Sequence, residues 1–286
     1  MRDRLCRAFA ASLLLSFVLQ VDPVAAESGQ QSPLDGKLQI RLGAFWPSLD
    51  SGLSIETERG PGSRLDLERD LGLDEAKTTI YGGLSWRFSP RHTLEMEYFD
   101  LGRSGRRSAE REWEIGNSTA LLGATMDAEL DLRMTRFTYH YALVSSERHR
   151  FALSGGIHYL RLEAKIALSG ELLLNGRPIF VQPETPVTEV DRTEAPLPHF
   201  GFQYGYALGE SWTAHFNLIG FDVEIDKADG RLLEINAGAQ YRINKYIGLG
   251  AGLKYFDLDV DHERKKRTTT YDFDFVGPAV YLTATF

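Results

Sequence analysis

The chain has 286 residues, of which 43% are hydrophobic, and its formal net charge is −8. A negative balance argues against a nucleic-acid partner, because such partners are bound by a basic face. No stretch reaches the roughly 20 consecutive apolar residues that a transmembrane helix needs. A helical membrane protein is therefore excluded, whereas a membrane β-barrel is not, since only alternate residues of its strands face lipid.

The first 26 residues have the features of a secretory signal peptide. Arg2, Arg4 and Arg7 precede an apolar run at 8–21, and the small residues at 24–26 (VAA) provide a cleavage site. An uncleaved membrane anchor is the alternative, but the apolar run is short for that role. We therefore predict that the mature protein begins after residue 26.

Cys6 is the single cysteine of the sequence, and it lies inside the predicted signal peptide. A mature chain without cysteine has no disulfide, no thiol catalysis and no cysteine metal site. It is compatible with passage through an oxidising periplasm. Residues 27–36 are polar and are predicted to be a flexible N-terminal segment, followed by a barrel domain at 37–286.

From residue 37 onward, apolar and polar residues alternate in stretches separated by Gly, Pro, Asn and charged residues. Such a period of two predicts β-strands. Most of the stretches have at least the 9–11 residues that cross a bilayer as a tilted strand. The ten predicted strands are Lys37–Trp46, Lys77–Phe88, His92–Leu101, Glu129–Leu143, Arg150–Leu168, Leu197–Leu208, Trp212–Ile225, Arg231–Ile243, Tyr246–Val260 and Tyr271–Phe286.

Short and longer connections alternate between these strands. The short connections are 89–91, 145–149, 209–211 and 244–245. The long connections include 47–76, 102–128 and 169–196. Outer-membrane barrels have the same alternation, with short periplasmic turns and longer outside loops. An even number of strands then puts both termini on the periplasmic side.

The two faces of the predicted strands differ in chemistry. One face of the eighth strand carries Leu233, Ile235, Ala237, Ala239, Tyr241 and Ile243. The opposite face carries Glu234, Asn236, Gly238, Gln240 and Arg242. A soluble periplasmic β protein would bury the apolar face, whereas a membrane barrel would turn it to lipid. Aromatic residues gather near the predicted strand ends, which favours the membrane barrel because aromatic girdles mark both membrane interfaces.

The last predicted strand alternates Val280, Leu282, Ala284 and Phe286. In this strand, and in pattern over residues 37–286, the chain resembles the small outer-membrane β-barrel proteins of the broad OmpA/OmpX-like group. Together with the ten period-two stretches, the resemblance predicts an all-β fold, an antiparallel up-and-down transmembrane barrel of about ten strands. It also implies that Phe286 is an assembly signal for the barrel-assembly machinery. Segments 70–74 and 86–92 are similar to uncharacterised members of that group, and this similarity points to no known activity.

The polar strand faces predict a lumen rich in charged residues. Side chains just fill an eight-stranded barrel, so the charges inside a slightly wider one must pair with one another. A plugged lumen is our main hypothesis, and a narrow channel for small polar solutes or ions is the alternative. The face pattern changes phase at Arg136 and at Ile219-Gly220, which predicts β-bulges there. The predicted lumen network is Arg41, Arg87, Glu95, Glu97, Arg133, Arg136, His140, His158, Arg161, Glu163, His215, Glu234, Arg242 and Lys254.

Catalytic and metal sites are not expected. Seven histidines could act as bases, but no His-x-Ser or Asp-x-His pair lies on one strand face, as outer-membrane lipid hydrolases and proteases would require. A lipid-modifying hydrolase is the second alternative to the plugged barrel. An acidic rim that includes Asp222, Asp257 and Asp274 is interpreted as solvated surface and not as a cation site. Residues 65–71 are predicted to form a short amphipathic helix. The basic run at 262–267 has two interpretations, a contact with lipopolysaccharide phosphates or a solvated hairpin tip.

The sequence therefore predicts a monomeric, non-enzymatic outer-membrane barrel without a cofactor. Its expected role is membrane integrity or surface interaction through long outer loops. The expected partners are outer-membrane lipid, lipopolysaccharide and, during biogenesis, the barrel-assembly machinery. No nucleic-acid partner is expected.

Overall fold

The structure is a computed structural model that describes residues 34, 36–57, 64–74, 77–115, 118–225, 228–264 and 267–286. The predicted signal peptide lies outside the described residues, as does nearly all of the predicted N-terminal segment. No helix among the described residues is long and apolar enough to span a membrane.

The described chain is built of antiparallel β-strands. They are β1 (Leu38–Phe45), β2 (Ser48–Thr57), β3 (Arg64–Asp66), β4 (Thr79–Ser89), β5 (His92–Ser108), β6 (Trp113–Ile115), β7 (Ser118–Ala120), β8 (Thr125–Ser145), β9 (His149–Leu174), β10 (Arg177–Val181), β11 (Val187–Ala207), β12 (Trp212–Ile225), β13 (Ala228–Arg242), β14 (Ile247–Arg264) and β15 (Arg267–Thr285). Ten of them form a closed wall in the order β1, β4, β5, β8, β9, β11, β12, β13, β14 and β15. The wall closes where β15 pairs with β1, from Gln39 opposite Thr285 to Phe45 opposite Ala279. The predicted ten-stranded antiparallel barrel is confirmed.

The short connections all lie at one end of the barrel, which we call the turn end. They join β4 to β5, β8 to β9, β11 to β12 and β13 to β14. The two ends of the wall meet there, since the Phe286 and Leu38 backbones are hydrogen-bonded. The opposite end, which we call the loop end, carries the remaining connections.

An apolar belt surrounds the turn-end half of the barrel on its outer surface. Its exposed members include Leu42, Leu84, Met96, Phe137, Leu153, Ile157, Phe200, Leu249, Leu253, Val280 and Leu282. Exposed aromatic residues border the belt at the turn end, among them Trp86, Tyr139, Trp212 and Tyr241. Others border it toward the loop end, among them Trp46, Tyr98 and Tyr159. A continuous exposed apolar surface between two aromatic girdles is the surface that lipid requires.

Each long strand reverses its hydrophobic face where it leaves the belt. The outward residues of β5 are Leu94, Met96 and Tyr98 inside the belt and Asp100, Gly102 and Ser104 beyond it. The inward residues are Thr93, Glu95 and Glu97 at the belt and Phe99 and Leu101 beyond it. Strands β8, β9, β14 and β15 change in the same way. The barrel therefore has a polar lumen with an apolar exterior at the belt, and an apolar core with a charged exterior at the loop end.

The predicted bulges at Arg136 and Ile219-Gly220 are wrong. The register runs without a shift through Arg136 in its pairing with β5 and β9 and through Ile219-Gly220 in its pairing with β11 and β13. Register shifts occur instead between Arg87 and Ser89 and between Ala142 and Val144. The change of pattern at Arg136 reflects a change of surroundings from lipid to water, and the strand keeps its phase.

At the loop end the wall separates into two facing sheets. Strand β11 pairs with β9 from Val187 to Tyr206, but with β12 only from Phe200 to Ala207. Among the described strands, β5 beyond Phe99 pairs only with β8. One sheet therefore contains the ends of β5, β8, β9 and β11, and the other contains β12, β13, β14, β15 and β2. Apolar side chains from both sheets fill the space between them, and the Tyr271 hydroxyl donates to Asp191 across it at 2.5 Å.

The predicted helix at 65–71 is wrong, because this segment forms a short strand and a turn. Its Leu67 and Leu71 side chains are buried in the loop-end core. Glu68 is buried too, and it accepts hydrogen bonds from the Ser51 backbone at 2.9 Å and from the Arg103 guanidinium. Through Glu68 the segment connects β2 to β5, two strands that are not hydrogen-bonded to each other through their backbones.

We predict that the cost of an outward arginine on β9 depends on its height. Leu153→Arg, inside the belt, is expected to lower the free energy of unfolding from lipid vesicles by about 2–4 kcal/mol. Ala167→Arg has the same strand, face and new side chain, but lies beyond the belt, and is expected to change it by less than about 0.5 kcal/mol. Urea titration followed by tryptophan fluorescence would measure both. Equal costs would contradict the assignment of the belt to lipid.

Candidate functional site in the barrel lumen

Arg136 of β8 is the centre of the charged network in the lumen. Its side chain is 4% exposed and is paired with three glutamates. The distances from its guanidinium are 2.6 Å to Glu95 and 3.6 Å to Glu97, and it also donates a hydrogen bond to Glu234. Neighbouring strand β5 supplies the first two carboxylates, whereas β13 supplies the third from the opposite wall. Arg136 therefore links two sides of the barrel across the lumen.

Two further cations balance the three glutamates. The Lys254 ammonium of β14 lies 2.5 Å from Glu97 and 4.2 Å from the centre of the Tyr81 ring. The Arg41 guanidinium of β1 lies 3.8 Å from Glu97. We call Arg41, Glu95, Glu97, Arg136, Glu234 and Lys254 the lumen network. It contains three cations and three carboxylates, so each charge withdrawn from water faces an opposite charge.

Histidines extend the lumen network toward β9 and β11. His158 Nε2 lies 3.0 Å from Glu234, and the His158 and His199 rings meet edge to face at 4.5 Å. His199 Nε2 lies 3.1 Å from the Thr138 hydroxyl. Both histidines are fully buried. They connect the ion pairs to the part of the wall that β9 and β11 form.

The lumen is filled at the level of the network. A cavity lined by Glu97, Glu234, Asn236 and Lys254 has a volume of about 10 Å³, roughly the room that one water needs. On the loop-end side of this cavity, the Phe45, Phe99, Phe256 and Phe275 rings are buried against one another.

Most of the predicted lumen residues do face inward. Glu95, Glu97, Arg136, His140, His158 and Glu234 are buried, and Arg41, Arg87, His215 and Lys254 are partly buried on the same inner surface. Arg87 and Arg242 lie toward the turn end, where they donate to the backbone carbonyls of Leu34 and Glu210.

Arg133, Arg161 and Glu163 are not in the lumen, and their assignment to it is wrong. They lie on the outer surface beyond the belt, where Arg133 pairs with Asp100 and Glu163 with Arg192. Arg161 is half-exposed there. The error has one cause, because a charged side chain marks the lumen only where the other face of the strand meets lipid.

Sequence reasoning missed several polar residues of the site. His199, Thr138 and Ser154 are buried in the lumen, and His140 Nδ1 lies 2.8 Å from the Ser154 hydroxyl. The pair consists of cross-strand neighbours, since His140 of β8 is opposite Ser154 of β9. A search along single strands for His-x-Ser could not find it, whereas a search across predicted hairpin registers could.

Among solved structures, the likeness to one outer-membrane protease supports the architecture. The outer-membrane protease OmpT from Escherichia coli has a TM-score of 0.56 at 12% identity, over 87% of this chain and 97% of OmpT. OprG from Pseudomonas aeruginosa has a TM-score of 0.42 at 12% identity, over 90% of this chain and 98% of OprG. The toluene transporter TodX from Pseudomonas putida has 0.36 at 8% identity, over 90% and 92%. No protein-family model and no curated protein sequence matches the chain.

The fold is that of an outer-membrane β-barrel. The identity to OmpT is too low to carry over its protease activity. In this barrel His140 and Ser154 are buried on the inner face of the wall, and the His140 ring lies 3.9 Å from Glu95. Among the residues whose side chains are described, no group of three or more His, Asp or Glu residues could hold a metal ion. The side chain of His262, in the basic run at 262–267, is not among those described.

An acidic surface lies on the barrel exterior just beyond the belt. Asp274 of β15 is opposite Asp257 of β14 and Asp50 of β2. Partial burial, together with repulsion from these two and from Asp259 and Asp272, raises the pKa of Asp274 to about 6. Like charges in directly opposed positions destabilise a sheet, so this surface costs stability when all its carboxylates are ionised.

We predict that removal of Arg136 from the lumen network destabilises the barrel strongly. Arg136→Met leaves three buried carboxylates facing two cations, and we expect a loss of about 3–5 kcal/mol in the free energy of unfolding. Arg133→Met, three residues away on the same strand, removes an exposed pair and should cost at most about 1 kcal/mol. Urea unfolding in vesicles compares the two. Similar losses would mean that the network contributes no more than the surface pairs.

We predict a pH-dependent effect of Asp274→Asn. The folded-state pKa of Asp274, about 6, lies above its ordinary value of 3.8, so its protonation stabilises the fold below about pH 4 and this contribution is lost as the pH rises through 6. The variant should therefore have a higher Tm than the wild type at pH 8 and an equal Tm near pH 4. Asp100→Asn, which loses its pair with Arg133, is the control and should show no gain at pH 8.

Proposed function

We propose that this protein is a non-enzymatic outer-membrane barrel with a closed lumen, which acts in membrane integrity or in surface interaction through its loop end. The observation that carries the proposal is the three-glutamate coordination of Arg136 across the lumen. A pore for polar solutes needs mobile charges and water along its axis, whereas these charges are matched with one another and buried.

The loop end supports a surface role. Its two facing sheets have their own apolar core, so the strands stay ordered well beyond the belt. The outer faces of these sheets carry exposed ion pairs such as Arg106 with Asp127 and Lys165 with Glu129. A rigid, charged platform of this kind is suited to binding at a membrane surface.

The orientation follows from the same proposal. The turn end with both termini would face the periplasm, and the loop end would face the exterior, as the short-turn rule for such barrels implies. The partners would be outer-membrane lipid around the belt, lipopolysaccharide beside the loop end, and the barrel-assembly machinery acting on Phe286 during biogenesis. Neither a cofactor nor an oligomeric partner is required, so we propose a monomer.

A narrow channel is the second candidate function, and one observation favours it. His158 Nδ1, His199 Nδ1, Asn217 Oδ1 and Asn236 Oδ1 are buried without a hydrogen-bond partner among the described residues. Buried polar atoms of this kind favour hydration. If the network rearranged, a file of waters along these atoms would give ions a path beside Glu234.

Single-channel recording of the refolded mature protein in a planar bilayer tests the proposal. We expect no stable conductance steps from the wild type, since the lumen is filled. A Glu95→Ala/Glu97→Ala variant is recorded beside it, because a channel through the network would shift toward anions once two carboxylates are lost. Asp127→Ala/Glu129→Ala removes two carboxylates from the outer surface and is the control. A heat-dependent gel shift confirms that each protein is folded.

Stable wild-type steps whose ion selectivity changes in the Glu95/Glu97 variant, but not in the control, would replace the closed barrel with the channel. Silence from all three folded proteins is the result that the closed barrel predicts.

A further inference from the structure

Two arginines lie side by side on the outer surface where the belt ends. Arg133 of β8 and Arg161 of β9 are directly opposite each other in the strand register. Both side chains are 49% exposed. Directly opposed like charges on neighbouring strands are unfavourable, and each arginine here has a carboxylate partner on the strand beyond it, Asp100 or Glu194.

The two arginines are held by matching chains of hydrogen bonds. On one side, the Asp100 carboxylate accepts from Arg133 Nε at 3.2 Å and from the Tyr98 hydroxyl at 3.4 Å. On the other side, the Glu194 carboxylate accepts from Arg161 Nε at 2.8 Å and from the Tyr159 hydroxyl at 2.5 Å. These bonds engage the Nε of each guanidinium and none of its terminal nitrogens. Arg161 also has a hydrogen bond with Tyr159, and the terminal nitrogens that these bonds do not use are donors for a further anion.

The surroundings of the pair are those of a lipid headgroup. Tyr98 is the outward residue next to Asp100 on the turn-end side, and Tyr159 has the same position relative to Arg161. Phe137 and Ile157, both exposed, lie farther toward the turn end within the belt. Tyrosine at this height marks the boundary between acyl chains and headgroups. An anion bound by the two arginines would lie at headgroup level with apolar surface directly beneath it.

We propose that Arg133 and Arg161 form a binding site for the phosphate group of an anionic membrane lipid. Guanidinium forks bind phosphate through paired charge-assisted hydrogen bonds, and a phosphate between the two side chains would relieve their mutual repulsion. The lipid's acyl chains would cover Ile157 and Phe137. The proposal rests on insertion of the belt in a membrane, as proposed above, and is independent of whether the lumen conducts.

The opposite side of the barrel provides the contrast. Just beyond the belt there, β2, β15 and β14 present Asp50, Asp274 and Asp257, which repel a phosphate. Acidic residues also flank the arginine pair, since Asp131 and Glu163 occupy the next outward positions. They confine the favourable position to the side of the arginines that faces the belt, where a lipid phosphate lies.

The test uses the mature full-length protein in phosphatidylcholine vesicles that contain a trace of spin-labelled phosphatidic acid. Electron paramagnetic resonance gives the fraction of label immobilised at the protein, with spin-labelled phosphatidylcholine as the neutral reference. We expect the wild type to prefer phosphatidic acid by at least about threefold. Arg133→Gln/Arg161→Gln should abolish that preference. Arg106→Gln/Lys165→Gln removes two other exposed cations, farther toward the loop end, and should retain it.

Excess inorganic phosphate distinguishes the two sources of the ligand. If it displaces the labelled lipid, the site recognises phosphate from either source. If it does not, the site requires the lipid headgroup, and both results support a phosphate site. Equal association of the two labelled lipids with the wild type would overturn the proposal, as would equal loss of preference in both double variants. A heat-dependent gel shift in the same vesicles shows insertion, so failure of the barrel proposal would be seen separately.

Discussion

The closure of backbone hydrogen bonding around the wall is the constraint on which the rest of this structure depends. Lipid offers no partner to an N–H or C=O group, so a sheet inside a membrane must have no free edge. The pairing of β1 with β15 removes that edge. Because uninterrupted pairing fixes which side chains point inward, each strand keeps one phase along most of its length. Any change of surroundings must then be met by a change of residue type.

The charged network in the lumen follows from that closure. Inward side chains at belt height are surrounded by a narrow wall, and those of β5, β8 and β13 include charges that need partners. Arg136 satisfies three carboxylates from two walls, while Lys254 and Arg41 balance the count. Buried ion pairs contribute little net stability, but they are costly to break. The network therefore adds little to the stability of the barrel, but its residues depend on one another, since loss of one leaves an unpaired buried charge.

The outward side chains, unlike the inward ones, indicate where the membrane lies along the barrel. Within the belt they are apolar, and directly beyond it they form two different surfaces, one with Arg133 and Arg161 and one with Asp257 and Asp274. The lumen and this exterior are separate features, since no described side chain contact joins them through the wall. The outer surface can therefore interact with a membrane or with a partner independently of the state of the lumen.

The period-two pattern by itself determined the all-β fold, the ten wall strands and the alternation of turns and loops, because strand length and turn chemistry are local properties. It also placed Glu95, Glu97, Arg136 and Glu234 on inner faces, where the opposite face is unbroken and apolar. Only the tertiary structure decided where lipid ends along each strand. Beyond that boundary Arg133, Arg161 and Glu163 lie on the outer surface, and the change of face pattern there requires no bulge. Strands such as β5 and β9 also continue past it into segments that were predicted as loops. Neighbours such as His140 and Ser154 depended on register, which a single strand's sequence does not contain.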